Sequence, residues 1–252
     1  MAITASGAYP LPNRLQMVLG NILLRASCYS PKYIMQIYLR RYKHYQTMLG
    51  RDRENTQGAS VNKWNLIAAT VNFAGRTVLD IGCAEGFFCL EALKCGAARV
   101  VGTDGDFRAL LVASALARRA GMHPHFQMAA FPDMGLLEQF DCILCLSVLH
   151  HNLSRGVDMW TVLSSPKHAE DLAVLRQHLL VLRRLVRHGG QCVIEMPYQY
   201  SDEVPHGCVD FSRFCEELLL AGFATAIPAG LWDHASRNKE RKDRMIYVAA
   251  VS

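Results

Sequence analysis

No stretch of the 252-residue chain reaches the roughly 20 apolar residues that a membrane-spanning helix needs. The run from Leu15 to Leu24 is short and broken by Gln16, Gly20 and Asn21, and no positive n-region precedes it. Integral membrane insertion and a secretory signal are therefore not expected. A disulfide framework is missing too: the nine cysteines are odd in number and stand singly in apolar runs, which suits a reducing cytoplasm. The one CxxC, Cys142 and Cys145, lies inside FDCILCLSVL with no second ligand pair at metal spacing. It reads as core packing, and no metal site is expected.

What is present is ample apolar material, 51% of residues, enough for one large α/β domain with a modest extension. The net charge of +5 is unevenly placed. Residues 1–60 hold eight Lys/Arg against Asp52 and Glu54, a local net of +6, so the other 192 residues net to −1. That basic extension reads as two helices. Asn13 starts one that runs to about Ala26. Ser30 and Pro31 start a second, which Gly50 stops, with Ile34, Tyr38, Tyr42, Tyr45 and Leu49 on one face. It suits a packed lid, an RNA surface or a peripheral membrane face, and the sequence leaves these open. Residues 50–60 read as a linker.

From residue 61 the pattern turns regular. Helices are expected over VNKWNLIAATVNF, GFFCLEALKCGA, FRALLVASALARRAG, AEDLAVLRQHLLVLRRLVRHGG (ended by Gly189 and Gly190) and DFSRFCEELLLAGF. Strands are expected over RTVLDIG, RVVGTD, PHFQMAA, FDCILCLSVLHH, QCVIEMP, ATAIPAG and RMIYVAAV. This alternation predicts a doubly wound, mostly parallel seven-stranded sheet whose last strand inserts antiparallel. RNKERKDR reads as a solvated hairpin tip.

VLDIGCAEGFF carries the most information. A buried strand runs into Gly82-Cys83-Ala84-Glu85-Gly86, and a helix follows. Gly82 and Gly86 permit backbone geometry and close ligand approach. The spacing is not the GxGxxG of a dinucleotide site, and Asp80 and Glu85 would repel a pyrophosphate. They suit a ligand with an ammonium and a sulfonium. Asp104, 22 residues after Gly82, falls where an acid grips ribose hydroxyls. S-adenosylmethionine (SAM) meets all three demands, and an NAD-dependent oxidoreductase is disfavoured.

With VLDIGCAEG, VVGTD, FDCILCLSVLHH and LVRHGGQCVIE in order, the chain resembles class I SAM-dependent methyltransferases over about residues 61–252. It departs from many members at Ala84, often glycine, and at Ala130, often an acid; Asp133 is the available substitute. Lys63-Trp64 before the first motif and His150-His151 after the fourth strand resemble the branch containing the tRNA wobble-uridine carboxymethyltransferase. The arginines following that branch's histidine are absent here, where HHNLSRG holds only Arg155. The resemblance implies a Rossmann-like fold and SAM as cofactor. It implies cofactor contacts at Lys63, Trp64, Asp80, Gly82, Cys83, Ala84, Glu85, Gly86, Asp104, Gly105 and Ser147.

Histidine's pKa of ~6.5 suits proton acceptance near neutrality. Adjacent residues leaving a strand point in opposite directions, so one ring is expected to face the acceptor, His151 ahead of His150. Tyr200 and His206 are alternative bases, and LSRGVDMWTVLSSPKH and MPYQYSDEVPHGC read as substrate-covering insertions. The leading expectation is a cytoplasmic enzyme, peripheral at the membrane in one reading, that O-methylates a small-molecule or glycan-like biosynthetic acceptor. RNA methylation through the basic N-terminal helix and a non-catalytic SAM-fold partner are the alternatives. Oligomeric state is left open.

Overall fold

The computed structural model describes residues 12–26, 30, 33, 57–153, 159–197, 212–235 and 241–252. The expected second N-terminal helix lies outside them apart from Ser30 and Tyr33, as do Tyr198, Tyr200, Asp202 and His206. All seven strands belong to one sheet, in the order β3-β2-β1-β4-β5-β7-β6. They are β1 (Thr77–Ile81), β2 (Arg99–Asp104), β3 (His125–Met128), β4 (Phe140–Leu146), β5 (Val186–Pro197), β6 (Thr225–Ala235) and β7 (Arg241–Ala250). β1, β2 and β3 pair in parallel, as do β4 and β5, while β7 runs antiparallel to both β5 and β6. The chain divides into two compact units, residues 1–64 with 72–135 and residues 65–71 with 136–252.

The first unit opens with α1 (Arg14–Ala26), whose start is a reciprocal cap. Asn13 Oδ1 accepts from Gln16 N and Gln16 Oε1 accepts from Asn13 N, both at 2.9 Å. Helix α2 (Gln57–Thr70) begins inside the stretch read as linker. Helices α3 (Phe87–Lys94) and α4 (Phe107–Arg119) follow β1 and β2. Asp106 caps α4 by accepting from Arg108 N, and Leu110, Ala113, Leu116 and Ala117 bury its inner face.

In the second unit β4 is almost wholly buried, as expected of a strand covered on both faces. The short helix α5 (Met159–Ser164) precedes α6 (Ala169–Leu185), and α7 (Ser212–Leu220) follows β5. Leu175, Leu179 and Leu182 recur at helical spacing and bury completely. Arg176 grips both oxygens of Glu217 at 2.7 and 2.8 Å, joining α6 to α7. Three expectations are corrected here. Helix α6 ends at Leu185, not at the glycine pair: Val186 already enters β5. Gly189, at φ 73, and Gly190, where a Cβ would meet Asp141 O at 2.9 Å, belong to the strand's irregular start. Strand β4 stops at Leu146, and the histidines sit in a 3-10 turn, Leu149–Asn152. Arg244, read as part of a solvated tip, is only 7% exposed.

Candidate cofactor and acceptor sites

The turn after β1 is held by its own backbone and by one acid. Cys83 N donates to Thr103 O at 2.9 Å, and Gly86 N to Cys83 O at 2.8 Å. Asp104 Oδ2 accepts from Ala84 N at 2.9 Å and Oδ1 from Asp106 N at 2.8 Å. Asp104 therefore ties the turn to the end of β2, where an acid can also accept from a ribose hydroxyl. Gly82 (φ 70) and Gly86 (φ 80) lie in the left-handed region, and so does Ala84 (φ 46), a rarer choice for a residue with a Cβ. At Gly86 the glycine answers to packing as well: a Cβ would meet Phe126 Cζ at 2.9 Å and Ala113 Cβ at 3.1 Å. Close packing thus adds to the left-handed backbone as a reason for glycine at this position. Pro12 closes on the far side, 3.4 Å from where a Gly105 Cβ would stand.

Electrostatically the turn is acidic and dry. Asp80 is 1% exposed and Glu85 2%. Burial pushes the Asp80 carboxyl up to about 7. The Cys89 thiol, donating at 3.2 Å, and the Lys63 charge oppose the rise, and Asp104 adds to it. Burial also raises Asp104, against the pull of the backbone N–H groups of Asp106 and Ala84. Lys63 is 8% exposed, with its Nζ 5.5 Å from the Phe88 ring centre. Trp64 is core: it stacks on Phe73 at 5.0 Å and leans on Phe88 at 6.3 Å, fixing the segment that carries Lys63. Among the described residues, Asp80, Glu85 and Asp104 make the surroundings of the turn predominantly acidic. A ligand bearing an ammonium and a sulfonium fits those surroundings, whereas a pyrophosphate does not. Asp80, Glu85 and Asp104 are the residues that would hold such a ligand.

At the end of β4 the second unit builds a different cluster. Ser147 has φ 61, which breaks the strand. Its hydroxyl donates to Glu195 Oε2 and accepts from Arg244 Nη1 at 2.7 Å. Arg244 Nη1 stands 3.7 Å from Glu195 Oε2, and Glu195 is fully buried. Both partners were missed in the sequence. The signal for Glu195 was a lone acid within the apolar run QCVIEMP, since a buried charge demands a partner. Beyond Ser147, the His150 and His151 rings lie against each other in a tilted pair, centres 4.1 Å apart and planes at 36°. This corrects the expectation that they diverge, because a 3-10 turn does not alternate its side chains as a strand does. His151 is the exposed member. Partial enclosure of its ring, aided by the Arg244 charge, lowers its pKa below the ordinary value. Of the alternative residues, Asp133 is exposed and Ala130 buried.

Strand order, glycine turn and acid after β2 are those of the class I methyltransferase fold. Residues 78–165 match the family model described as a methyltransferase domain. The chain is 33% identical over 144 residues to the tRNA U34 carboxymethyltransferase of Shewanella piezotolerans, and 31% identical over the same length to that of Shewanella baltica. Each match takes in 56% of this chain, which spans only 38% of the length of these curated relatives. Among solved structures, the bifunctional kinase-methyltransferase WbdD superposes with a TM-score of 0.61 at 21% identity, over 86% of this chain and 46% of WbdD. A Haemonchus contortus phosphoethanolamine N-methyltransferase in complex with S-adenosylhomocysteine gives 0.57 at 12% identity, over 92% of this chain and 60% of its own. The chain thus carries a domain with the class I methyltransferase fold, and over 144 residues it resembles the tRNA U34 carboxymethyltransferases.

Proposed function

We propose that the chain moves the methyl group of SAM to a hydroxyl of a small-molecule or glycan-like acceptor, with His151 accepting the hydroxyl proton. The observation that carries this reading is the histidine pair: His151 is exposed and biased toward its neutral, proton-accepting form. Bound SAM would supply a methyl group on a positively charged sulfur. Asp104 would grip the ribose, and Asp80 and Glu85 would face the positive charges. His151 would take the hydroxyl proton as the acceptor oxygen gains the methyl group and the carbon–sulfur bond breaks. His150, lying against it, would hold the ring in place. In this reading residues 1–60 are a helical basic extension to a catalytic domain of residues 61–252, and the protein is cytoplasmic.

A second reading has one observation in its favour. The curated relatives at 31–33% identity are named for tRNA wobble-uridine modification. RNA as substrate would then be engaged through the basic N-terminal extension. A non-catalytic SAM-binding partner is the third reading.

The test begins with calorimetry of SAM on the wild type, Asp104→Ala and the His150→Ala/His151→Ala variant. Transfer of labelled methyl to a panel of hydroxylated acceptors and to unmodified tRNA follows. Expected are SAM binding that Asp104→Ala loses and the histidine variant keeps, and transfer to a hydroxylated acceptor that the histidine variant loses. Transfer to tRNA alone, with salt-sensitive binding, would replace the first reading by the second. SAM binding without transfer to any acceptor would favour the third.

A further inference from the structure

Helix α1 has two apolar faces, and the first unit uses one of them. Gly20 is buried and Met17, Asn21 and Leu24 are half-buried. A Cβ on Gly20 would collide with Met128 Sδ, so the helix lies close against β3. The Asn21 amide accepts from Met128 N at 2.7 Å and donates to Met128 O at 3.1 Å. It stands in for a neighbouring strand at this end of the sheet. On the opposite side Leu15, Val18, Leu19, Ile22 and Leu23 are 66, 56, 51, 57 and 38% exposed. Their spacing puts all five on one stripe of the helix. Single exposed apolar residues are ordinary on a protein surface, but five aligned on a 13-residue helix mark an interaction face.

Charge selects the occupant. Helix α1 contains no acid, and the 60-residue segment around it nets +6. A second copy would bring that same positive charge against itself. RNA would find no cation or aromatic ring among the five side chains of the stripe. An anionic bilayer offers both an apolar layer for the stripe and negative headgroups for a segment whose sequence is net positive. At 13 residues the helix is ~20 Å long, too short to span a bilayer and well suited to lie in its surface. We propose that α1 is an interfacial helix that seats its Leu15–Val18–Leu19–Ile22–Leu23 face in an anionic lipid surface. The inference is independent of the acceptor and of the methyl-transfer chemistry.

Flotation of the full chain with vesicles tests it, using phosphatidylcholine alone and phosphatidylcholine with one third phosphatidylglycerol. The variant is Leu19→Asn/Ile22→Asn, two exposed positions whose change spares the core. SAM calorimetry confirms that the variant remains folded. The wild type is expected to float with the anionic vesicles, to be released by high salt, and to bind neutral vesicles poorly. The variant is expected to lose about tenfold or more in vesicle affinity. Three results would overturn the proposal. One is absence of the wild type from both vesicle fractions. Another is equal flotation of variant and wild type. The third is a wild-type dimer by light scattering that the variant converts to monomer, with no flotation by either, which would assign the stripe to a second copy.

Discussion

In the first unit Asp80 is buried and Asp104 half-buried, with Lys63 as a nearby cation, and the Asp80 carboxyl is pushed up to about 7. In the second, Glu195 is buried at least as deeply, but it takes a hydrogen bond from Ser147 and faces Arg244 across 3.7 Å. The Asp80 carboxyl is raised first by its burial, whereas Glu195 has an arginine and a hydroxyl within its own unit. Acid kept in a dry turn is what a cationic ligand needs; acid already paired inside the fold serves the fold. This difference sets the proposed binding site apart from a structural brace, and each side of it can be broken.

The largest effect is expected from Glu195→Ala. It leaves Arg244 buried and uncompensated, which typically costs about 3–5 kcal/mol. Urea unfolding of the variant should show that loss, and Glu195→Leu/Arg244→Met should recover most of it because the charges leave together. A cost below about 1 kcal/mol for Glu195→Ala would mean that the pair is not the brace described. Next comes Asp104→Ala. Losing charge-assisted hydrogen bonds to a ribose, along with the tie to Ala84 N, should weaken SAM binding about a hundredfold or more by calorimetry. Unchanged affinity would remove Asp104 from the cofactor site.

A smaller effect separates the two clusters by pH. The Asp80 carboxyl is raised in the folded protein from 3.8 to about 7. Its contribution to the stability of the ligand-free protein is therefore intact below about pH 4 and is lost as pH rises toward 7. SAM has the opposite preference, since its positive charges favour the ionised acid. Affinity should then fall by up to about tenfold per unit as pH drops below 7, one proton being taken up. Asp80→Asn should flatten that slope in calorimetry at pH 6, 7 and 8. It should also stabilise the ligand-free protein relative to wild type at pH 8 but not at pH 4. A slope that survives Asp80→Asn would place the titrating group elsewhere.

The same contrast explains what could be read from the residues alone. The cofactor turn is local: Asp80, Gly82, Gly86 and Asp104 fall within one strand–turn–helix–strand unit, so their spacing carries their geometry. The parallel sheet and the antiparallel last strand were legible for the same reason, from alternation and order. The brace was not. Ser147 lies 48 residues from Glu195 and 97 from Arg244, and the pairing of β5 with both β4 and β7 brings the three together. The histidine turn was hidden by its own composition. Val148 and Leu149 continue the apolar run of β4, while the left-handed backbone at Ser147 ends the strand without a glycine to announce it. Gly189 and Gly190 misled in the other direction. A glycine pair after a helical pattern looks like a stop, but here it shapes the first residues of β5.

The finest separation of the two clusters concerns His151, whose pKa is lowered first by desolvation and second by the Arg244 charge. In Glu195→Leu/Arg244→Met the Arg244 contribution disappears while the enclosure of the ring stays. The His151 ring signal, titrated by NMR, should move toward its ordinary value only part of the way, because the larger cause survives. Full return would make Arg244 the controlling group, and the brace would then tune the proposed base directly. No movement would leave enclosure as the sole cause. The partial shift expected here gives Arg244 two separable roles: closing the buried pair with Glu195, and keeping the exposed ring beside it neutral and ready to accept a proton near pH 7.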